Sequence, residues 1–536
     1  MKYVKNLAWL LVVMLFLVAC SSDDSNSASN DSATDSSTKS ETTYSKDTTT
    51  GENSDEIVIA VNENFISMDP HNTGDTNSNS VQSAMLEGLL GYDGEGNIIN
   101  VLATEYNVSD DALEYSFKLR EGVQFHDGEA FNAEAVKVNV ERIMNDEKLR
   151  LYSRGFNIVK SVDVVSDYEV KVTLTEPYGP MITRFAAAKM ISPKMIKEQA
   201  AEIPKSVVGT GPYKFVEWIQ GDHLTVERNE DYWDGADRVS KITYKPVPEN
   251  GSRVAMLKTG EADVIYPVPP QNINELNSNK DVEINQVPST IARYVSLNTF
   301  KEPLNNEKVR LALNHAVDKD AFIKVVNSGL GLPLDSIIPS KTIFYKKQEM
   351  YNFDVEKAKS LLAEAGYPDG FEIEIWGNTN SDTMKGMQFI QQQLSKINVK
   401  VEIKSMEEAT LSDEIYGAQT PEEAKLMMWY VSWSAYPSDV TNATKPLFHS
   451  SSFPPNSANT AYYNNPTADK LMDEANSISD QSKQEDLYGQ LQEEVYASAP
   501  WIFLGVDEIV YGVRSDVSGV IVNPGGGLDV RDAKVK

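Results

Sequence analysis

The chain has 536 residues, a net charge of −30 at neutral pH and one cysteine, Cys20. That acidity argues against nucleic acid or an anionic membrane surface as the main partner, while leaving open what the local charge of an enclosed cleft would attract. A single cysteine rules out an internal disulfide. Stability therefore has to come from core burial, and the length is enough for two or three structural domains.

In chain order, the first residues read as an export signal. Lys2 and Lys5 precede an apolar run from Leu7 to Val18 that is too short to span a bilayer. Leu17-Val18-Ala19-Cys20 resembles the lipobox of bacterial lipoproteins, in which the cysteine receives a diacylglycerol and becomes the first mature residue. The alternative is an ordinary secretory signal that happens to contain a cysteine. Residues 1–19 are thus expected to be a signal peptide and Cys20 a lipidation site. From Ser21 to Asp55 the chain is built almost wholly from Ser, Thr, Asp and Asn. Such a stretch cannot bury enough apolar surface to offset its ordering entropy, so residues 20–55 are expected to be a disordered tether. Its root-mean-square reach is roughly 30 Å. Dual lipid chains would give stable anchoring where one acyl chain would not.

The remainder reads as α/β. Glu56–Val61 is a near-continuous β-type run, which predicts a strand covered on both faces. Tyr115–Arg120 and Tyr168–Leu174 alternate with period two and predict half-buried strands. Asn132–Met144 predicts a helix, with Asn132 as N-cap and Val136, Val140 and Ile143 on one face. Ile291–Asn298 is a candidate strand, Val355–Ala365 and Ala468–Ile478 are amphipathic helices, and Leu426–Val431 is apolar enough for a central strand. The five histidines are scattered without metal-ligand spacing, and the phosphate-loop and nucleophile-elbow motifs are missing. Binding is therefore expected, with no catalysis, no cofactor and no metal. His126, beside Asp127-Gly128 on a turn, reads as structural.

The stretches Ala103–Asp111, Tyr115–Gly128 and Phe131–Val136 together resemble the signature of family 5 extracellular solute-binding proteins, the peptide, dipeptide and nickel binders of ABC importers. Gly209–Tyr213, Asn229–Trp233, Leu257–Asp263 and Lys308–Lys319 extend the resemblance over the whole body. It implies a two-lobed periplasmic-binding-protein fold of type II, in the large peptide-binding class, with an extra N-terminal subdomain. The implied division is 56–85 plus 205–297 plus 505–536 for lobe I, 86–204 for the subdomain and 298–504 for lobe II. Crossings between lobes are implied near Ser296–Lys301 and Leu504–Asp507. Arg253–Gly260, Tyr266–Pro270, Ala292–Asn298, Trp433–Ala435, Pro446–Phe448, Phe453–Pro455 and Asn459–Tyr463 are similar to the glutathione-binding branch of that family. The implied function is a lipid-anchored receptor, with no nucleic-acid partner and expected as a monomer, that passes glutathione or a similar small peptide to an ABC permease with its ATPase. A di- or oligopeptide or nickel-complex receptor is the alternative; a lipoprotein enzyme or an adhesin is the rival from another class.

Ligands of open α/β sheets sit beyond the carboxyl ends of strands, which directs the search for contacts. Arg293 shares a strand face with Val295 and Leu297, where a guanidinium either meets a ligand carboxylate bidentately or pairs with one of the protein's own acids. In the loop Trp433–Asp439, the resemblance places Tyr436 where oligopeptide binders carry the aspartate that holds a peptide amine. Asp439 then either meets the γ-glutamyl amine or caps the following helix. Trp433 and Tyr436 either line the pocket or pack. Asn64 and Phe65, directly after the first strand, either touch ligand or shape the turn.

Overall fold

The computed structural model describes residues 55–536; the signal peptide, Cys20 and all of the tether before Asp55 lie outside the described residues. β1 (Glu56–Val61) is buried from Ile57 onward except for a half-buried Val58, as its unbroken apolar run predicts. It lies parallel to β2 (Lys241–Pro246) on one side and β3 (Val264–Tyr266) on the other. Helix α1 (Thr76–Met85) follows, its first turn capped by the Asp75 carboxylate, which accepts from the Ser78 N–H at 2.8 Å. Capping of this kind satisfies one of the donors that a helix N-terminus leaves unpaired.

The extra subdomain is a four-stranded antiparallel sheet, ordered Ala103–Val108, Glu114–Leu119, Glu169–Leu174, Val159–Ser166. Tyr115, Phe117, Val170 and Val172 turn inward to form its own core. Against them packs α2 (Ala133–Met144), which buries Val136, Val140 and Ile143. Its cap is Asn132, accepting from the Ala135 N–H at 3.0 Å. The period-two and period-3.6 patterns of this region thus give the elements they predict. His126 is structural, since Nδ1 accepts from the Gly209 N–H at 3.3 Å and Nε2 lies 3.0 Å from the Gly211 carbonyl.

The subdomain is joined to the first lobe through buried polar groups. Glu87 accepts from the Thr210 and Tyr232 hydroxyls, each at 2.7 Å, and from the Trp233 indole at 3.1 Å. Burial pushes its carboxyl above the usual range while those donors oppose the shift.

A single sheet runs through both lobes. Its far half contains β4 (Val282–Leu297), β5 (Phe371–Asn378), β6 (Val399–Met406), β7 (Met428–Ser434) and β8 (Trp501–Arg514), ordered β6-β5-β7-β4-β8-β3-β1-β2 before two outer strands. β4 and β8 are long antiparallel strands that carry the sheet from one lobe to the other, from Val282↔Arg514 to Ser296↔Trp501. Their pairing is irregular between Pro288 and Ala292 and again between Arg293 and Tyr294. The irregular stretch lies upstream of the crossing read from the sequence at Ser296–Lys301, because Ser296 and Leu297 already pair with Trp429 and Met428 of β7. Inside the irregular stretch, Thr290 borrows partners from two loops: its N–H donates to the Pro524 carbonyl at 3.0 Å and its hydroxyl to the Ala435 carbonyl at 2.6 Å.

Separate apolar clusters back this layout. Ile57, Ile59, Val226 and Val264 belong to the first-lobe core, while Val295, Leu297, Ile375 and Tyr430 lie on one face of the far half. Tyr294, Trp501 and Phe503 lie on its other face. The amphipathic segments form helices at Val355–Glu364 and Pro466–Asn476, and the apolar run at Leu426 becomes β7, an interior strand that starts at Met428. Among the described residues no helix is long and apolar enough to cross a membrane.

A candidate ligand cleft between the lobes

β5 runs parallel to both β6 and β7 but pairs with β7 only through Ile375↔Met428 and Trp376↔Trp429. Beyond that point β5 continues along β6 to Asn378↔Met406, whereas β7 continues along β4 to Ser434↔Ile291. The two strands part, and a crevice of ≈ 370 Å³ opens at their carboxyl ends. This is where ligands of open α/β sheets bind. Gly377 marks the parting: a Cβ there would meet Thr383 Cγ2 at 2.6 Å and Met387 Sδ at 2.8 Å. Only glycine lets the strand pass that close to α4 (Ser381–Ser395).

Asn380 caps α4 by accepting from the Thr383 N–H at 2.7 Å, and Asn380, Asp382 and Thr383 line the crevice. A helix start carries partial positive charge, but Asp382 in its first turn and Glu408 also line the crevice, so the wall offers carboxylates as well as the helix end.

Arg293 forms part of the opposite wall. Its Nε–H is shared between the two Asp507 oxygens at 2.7 and 2.9 Å, and Asn327 donates to the same carboxylate at 2.9 Å. The internal ion pair, one of the two readings of this arginine, therefore exists. It occupies only one edge of the guanidinium, whose terminal nitrogens remain beside Tyr430 and the crevice. Burial disfavours the charge of Arg293, but Asp507 outweighs burial and holds its pKa above the ordinary arginine value.

Along β7, Ser432 and Ser434 are exposed, and Tyr436 just past the strand is 40% exposed. Alternation places these three side chains on one face over ~13 Å. From Tyr430 onward β7 has no strand partner on its β5 side among the described residues, so alternate residues there present unpaired backbone N–H and C=O groups. Past the carboxyl end of β1, Asn64 is exposed and Ile66 is 71% exposed, and neither is among the residues of the crevice.

The remaining residues expected at the site are placed differently. Phe65 is not among the residues of the crevice: it is buried in the first-lobe core and meets Tyr244 edge-on at 6.2 Å. An aromatic ring next to a strand end buries more area there than it could in an open cleft, so its reading as a ligand contact is corrected. Trp433 points to the face opposite the serines; its indole N–H donates to the Asn442 carbonyl at 3.0 Å and its ring packs on a second-lobe cluster. It packs there beside a small enclosed cavity of ≈ 10 Å³ that Thr290, Ala292 and Trp501 also line, and it is not among the residues of the crevice.

Asp439 is the N-cap of α5 (Val440–Phe448), accepting from the Asn442 N–H at 3.0 Å. It also accepts from both terminal nitrogens of Arg184 in α3 (Met181–Ala187), and it is 2% exposed. With both oxygens engaged inside the protein, the cap reading holds and the amine-binding reading is corrected. Burial works against the Arg184 charge, yet Asp439 and the Tyr178 oxygen hold its pKa above the ordinary value. Tyr436 stacks on Tyr92 of the subdomain, ring centroids 5.6 Å apart and planes 9° from parallel.

These contacts bring the subdomain against the second lobe. Arg154 adds a bond to Asn442 Oδ1 at 3.1 Å, and the Gly179 N–H donates to the Asn476 carbonyl at 2.8 Å. Arg184, Tyr92, Asn380 and Ser432 were not singled out from the sequence. Asn380 followed by Ser-Asp-Thr after a β-type run is a readable cap signal, and the Ser432/Ser434 alternation within an apolar strand is a readable exposed face. Arg184 and Tyr92 carry no local signal, because their partners are more than 250 residues away.

Comparison with known proteins agrees with this architecture. Residues 97–455 match the model of the bacterial extracellular solute-binding proteins, family 5 middle region. The chain is 39% identical over 474 residues to the glutathione-binding protein GsiB of Pectobacterium atrosepticum, covering 88% of this chain and 92% of that one. It is 37% identical over 486 residues to the glutathione-binding protein GsiB of Salmonella typhimurium, covering 90% and 94%. Among solved structures, HbpA2 from Haemophilus parasuis superposes with a TM-score of 0.81 at 28% identity, covering 90% of this chain and all of that one. The ABC transporter-associated periplasmic binding protein DppA from Helicobacter pylori, in complex with the peptide STSA, gives 0.71 at 29% identity, covering 90% and 98%. Sheet order, subdomain and matched span together place the chain in the bacterial extracellular solute-binding proteins of family 5.

Proposed function

We propose that this protein captures glutathione, or a peptide of similar size, in the cleft between its lobes and delivers it to the permease and ATPase of an ABC importer. The observation that carries the reading is the unpaired edge of β7 beside Arg293 and the start of α4. An extended peptide can add to a free strand edge through main-chain hydrogen bonds, with flanking pockets choosing its side chains. Three extended residues span at most ~11 Å, which the ~13 Å row from Ser432 to Tyr436 accommodates. Arg293 supplies positive charge for a carboxylate of such a ligand, and Asp382 and Glu408 on the same crevice supply negative charge for its ammonium. The relatives named as glutathione-binding favour glutathione within that class.

Function then lies in ligand-linked closure: contacts made to both lobes at once favour the closed form. Lipidation of Cys20 would hold the protein, as a monomer, on the outer face of the cell membrane; a diacylglyceryl mass on the mature N-terminus is the check.

The ligand test is thermal. At a concentration a hundredfold above its dissociation constant, a ligand adds about 2.7 kcal/mol of stability. Glutathione is expected to raise the melting temperature, and free glutamate or glycine to leave it unchanged. A dipeptide panel that shifts it while glutathione does not would transfer the assignment to general peptide binding, the reading that the peptide-bound Helicobacter pylori relative would then favour.

A further inference from the structure

The chain enters the subdomain from α1 and leaves it for the outer strands beside β2, so its covalent links are to the first lobe. Its hold on the second lobe is non-covalent. The Gly179 N–H donates to the Asn476 carbonyl at 2.8 Å, the Ser479 hydroxyl to the Ser109 carbonyl at 3.1 Å, and Arg154 to Asn442. Arg184 and Asp439 close the same seam. None of these residues lines the crevice beside Arg293, so the seam is made without any group assigned to the ligand.

Two glycines let the surfaces approach. Gly96, on a subdomain turn, lies against the second lobe so closely that a Cβ there would stand 2.5 Å from Pro437 Cγ. Gly179 lies against the bend between the helices Pro466–Asn476 and Gln481–Ala497. A Cβ on Gly179 would overlap the Ile478 carbonyl oxygen and stand 3.0 Å from Gln484 Nε2, and the three atoms nearest to it all belong to the second lobe. That carbonyl is not free to swing aside, because the Gln484 amide donates to it at 3.1 Å. Gly96 has φ +89°, so its own turn also favours glycine. Gly179 is outside the left-handed region; its backbone accepts a side chain, and the clash comes from the second lobe.

We propose that this seam is a ligand-independent clasp: with the cleft empty it already holds the subdomain on the second lobe for much of the time, and it thereby sets the closed fraction from which ligand is bound. Gly179 is then a positioning residue that touches no ligand. Opening returns each seam group to water, so each bond contributes little alone. Their sum still reaches affinity, because a ligand that needs the closed form binds with its intrinsic dissociation constant divided by the closed fraction. Disturbing the seam therefore weakens every ligand by one common factor, whereas losing a ligand contact weakens ligands unequally. The inference rests on the functional reading above only in taking closure as the act of capture; it does not depend on which peptide is captured.

The test is solution scattering and calorimetry on the mature protein. Unliganded wild type is expected to give nearly the radius of gyration of protein saturated with glutathione. Unliganded Gly179→Ala should give a larger one, which saturating glutathione restores. By calorimetry Gly179→Ala should weaken glutathione at least tenfold, and weaken any dipeptide that wild type binds by the same factor to within about twofold, at unchanged stoichiometry. Arg154→Ala, which removes a seam bond and adds no atom, should act in the same direction and serves if the glycine variant does not fold. Unliganded wild type as expanded as the variants, or a weakening that differs from ligand to ligand, would overturn the inference and leave the functional reading standing. A wild-type protein that binds dipeptides but not glutathione overturns the functional reading instead, and the scattering of unliganded wild type against unliganded variant then decides the clasp without it.

Discussion

Two arginine–aspartate pairs, one on the wall of the crevice and one between the subdomain and the second lobe, differ in what they leave unused. Arg293 and Asp507 join neighbouring strands where the sheet passes between lobes, and only the Nε edge of the guanidinium is occupied. Arg184 and Asp439 bridge the subdomain and the second lobe; there both carboxylate oxygens are taken, one of them twice once the helix cap is counted. The first pair keeps donors for a ligand. The second leaves no carboxylate oxygen free, keeps only a buried Arg184 Nε without a partner, and acts on how the subdomain meets the second lobe. From the sequence Arg293 is the leading candidate and Asp439 stands between an amine contact and a helix cap; residual hydrogen-bonding capacity is what distinguishes the two carboxylate pairs.

The sharpest way to break this comparison is Asp439→Ala. It leaves Arg184 buried beside the remaining Tyr178 contact, and removing one partner of a buried pair typically costs about 3–5 kcal/mol. Because the pair spans two parts of the molecule, that cost falls on their contact. The expected outcome is a larger radius of gyration by solution scattering and ligand affinity weakened by about a hundredfold or more. Scattering and affinity like those of wild type would show that the pair is incidental to closure.

Arg293→Ala tests the other side. On the proposed function it removes a charged contact to the ligand, at a typical cost of about 2–5 kcal/mol in binding. Affinity measured by calorimetry should fall at least tenfold, and Arg293→Lys should recover only part of that, since ammonium lacks the planar fork. A purely internal role predicts another pattern: lower stability of the unliganded protein with normal binding by the folded fraction, which would remove Arg293 from the site.

The fold was largely legible where local pattern and tertiary context agree. β1 reads as a covered strand because both of its neighbours are parallel and interior, and α2 reads as a helix because Asn132 and its apolar face are local signals. The cleft was legible only in part. Arg293 stands out as a charge on an apolar face, and Asp439 could be reduced to two readings. Phe65 could be left only between ligand contact and turn, because a residue's place after a strand does not say which way its ring turns; its contact with Tyr244, 179 positions on, sets that. The parting of β5 from β7 and the Arg184 bridge depend on pairings hundreds of residues apart, which no local period records.

The same criterion of leftover capacity predicts a proton dependence. His71 is fully buried and both ring nitrogens are committed: Nδ1 faces an Arg142 N–H at 2.6 Å, so it must accept, and Nε2–H then donates to the Lys189 carbonyl at 2.8 Å. Burial first, then Arg142, lowers its pKa to about 4. Burial likewise lowers His126 to about 4, against the Gly211 hydrogen bond. An unfolded histidine titrates near 6.5. With folded values below the unfolded one, the unfolded state binds more protons between about pH 4 and 6.5, so the stabilisation is complete above that window and is lost as pH falls through it. Each histidine should contribute about 1 kcal/mol of lost stability between pH 6.5 and 5.5. Urea unfolding at those two pH values measures it, and His126→Gln should remove about half of this histidine-dependent loss. A slope unchanged by that substitution would mean that His126 is free to take up a proton in the folded protein, against the two backbone bonds that now fix its neutral form.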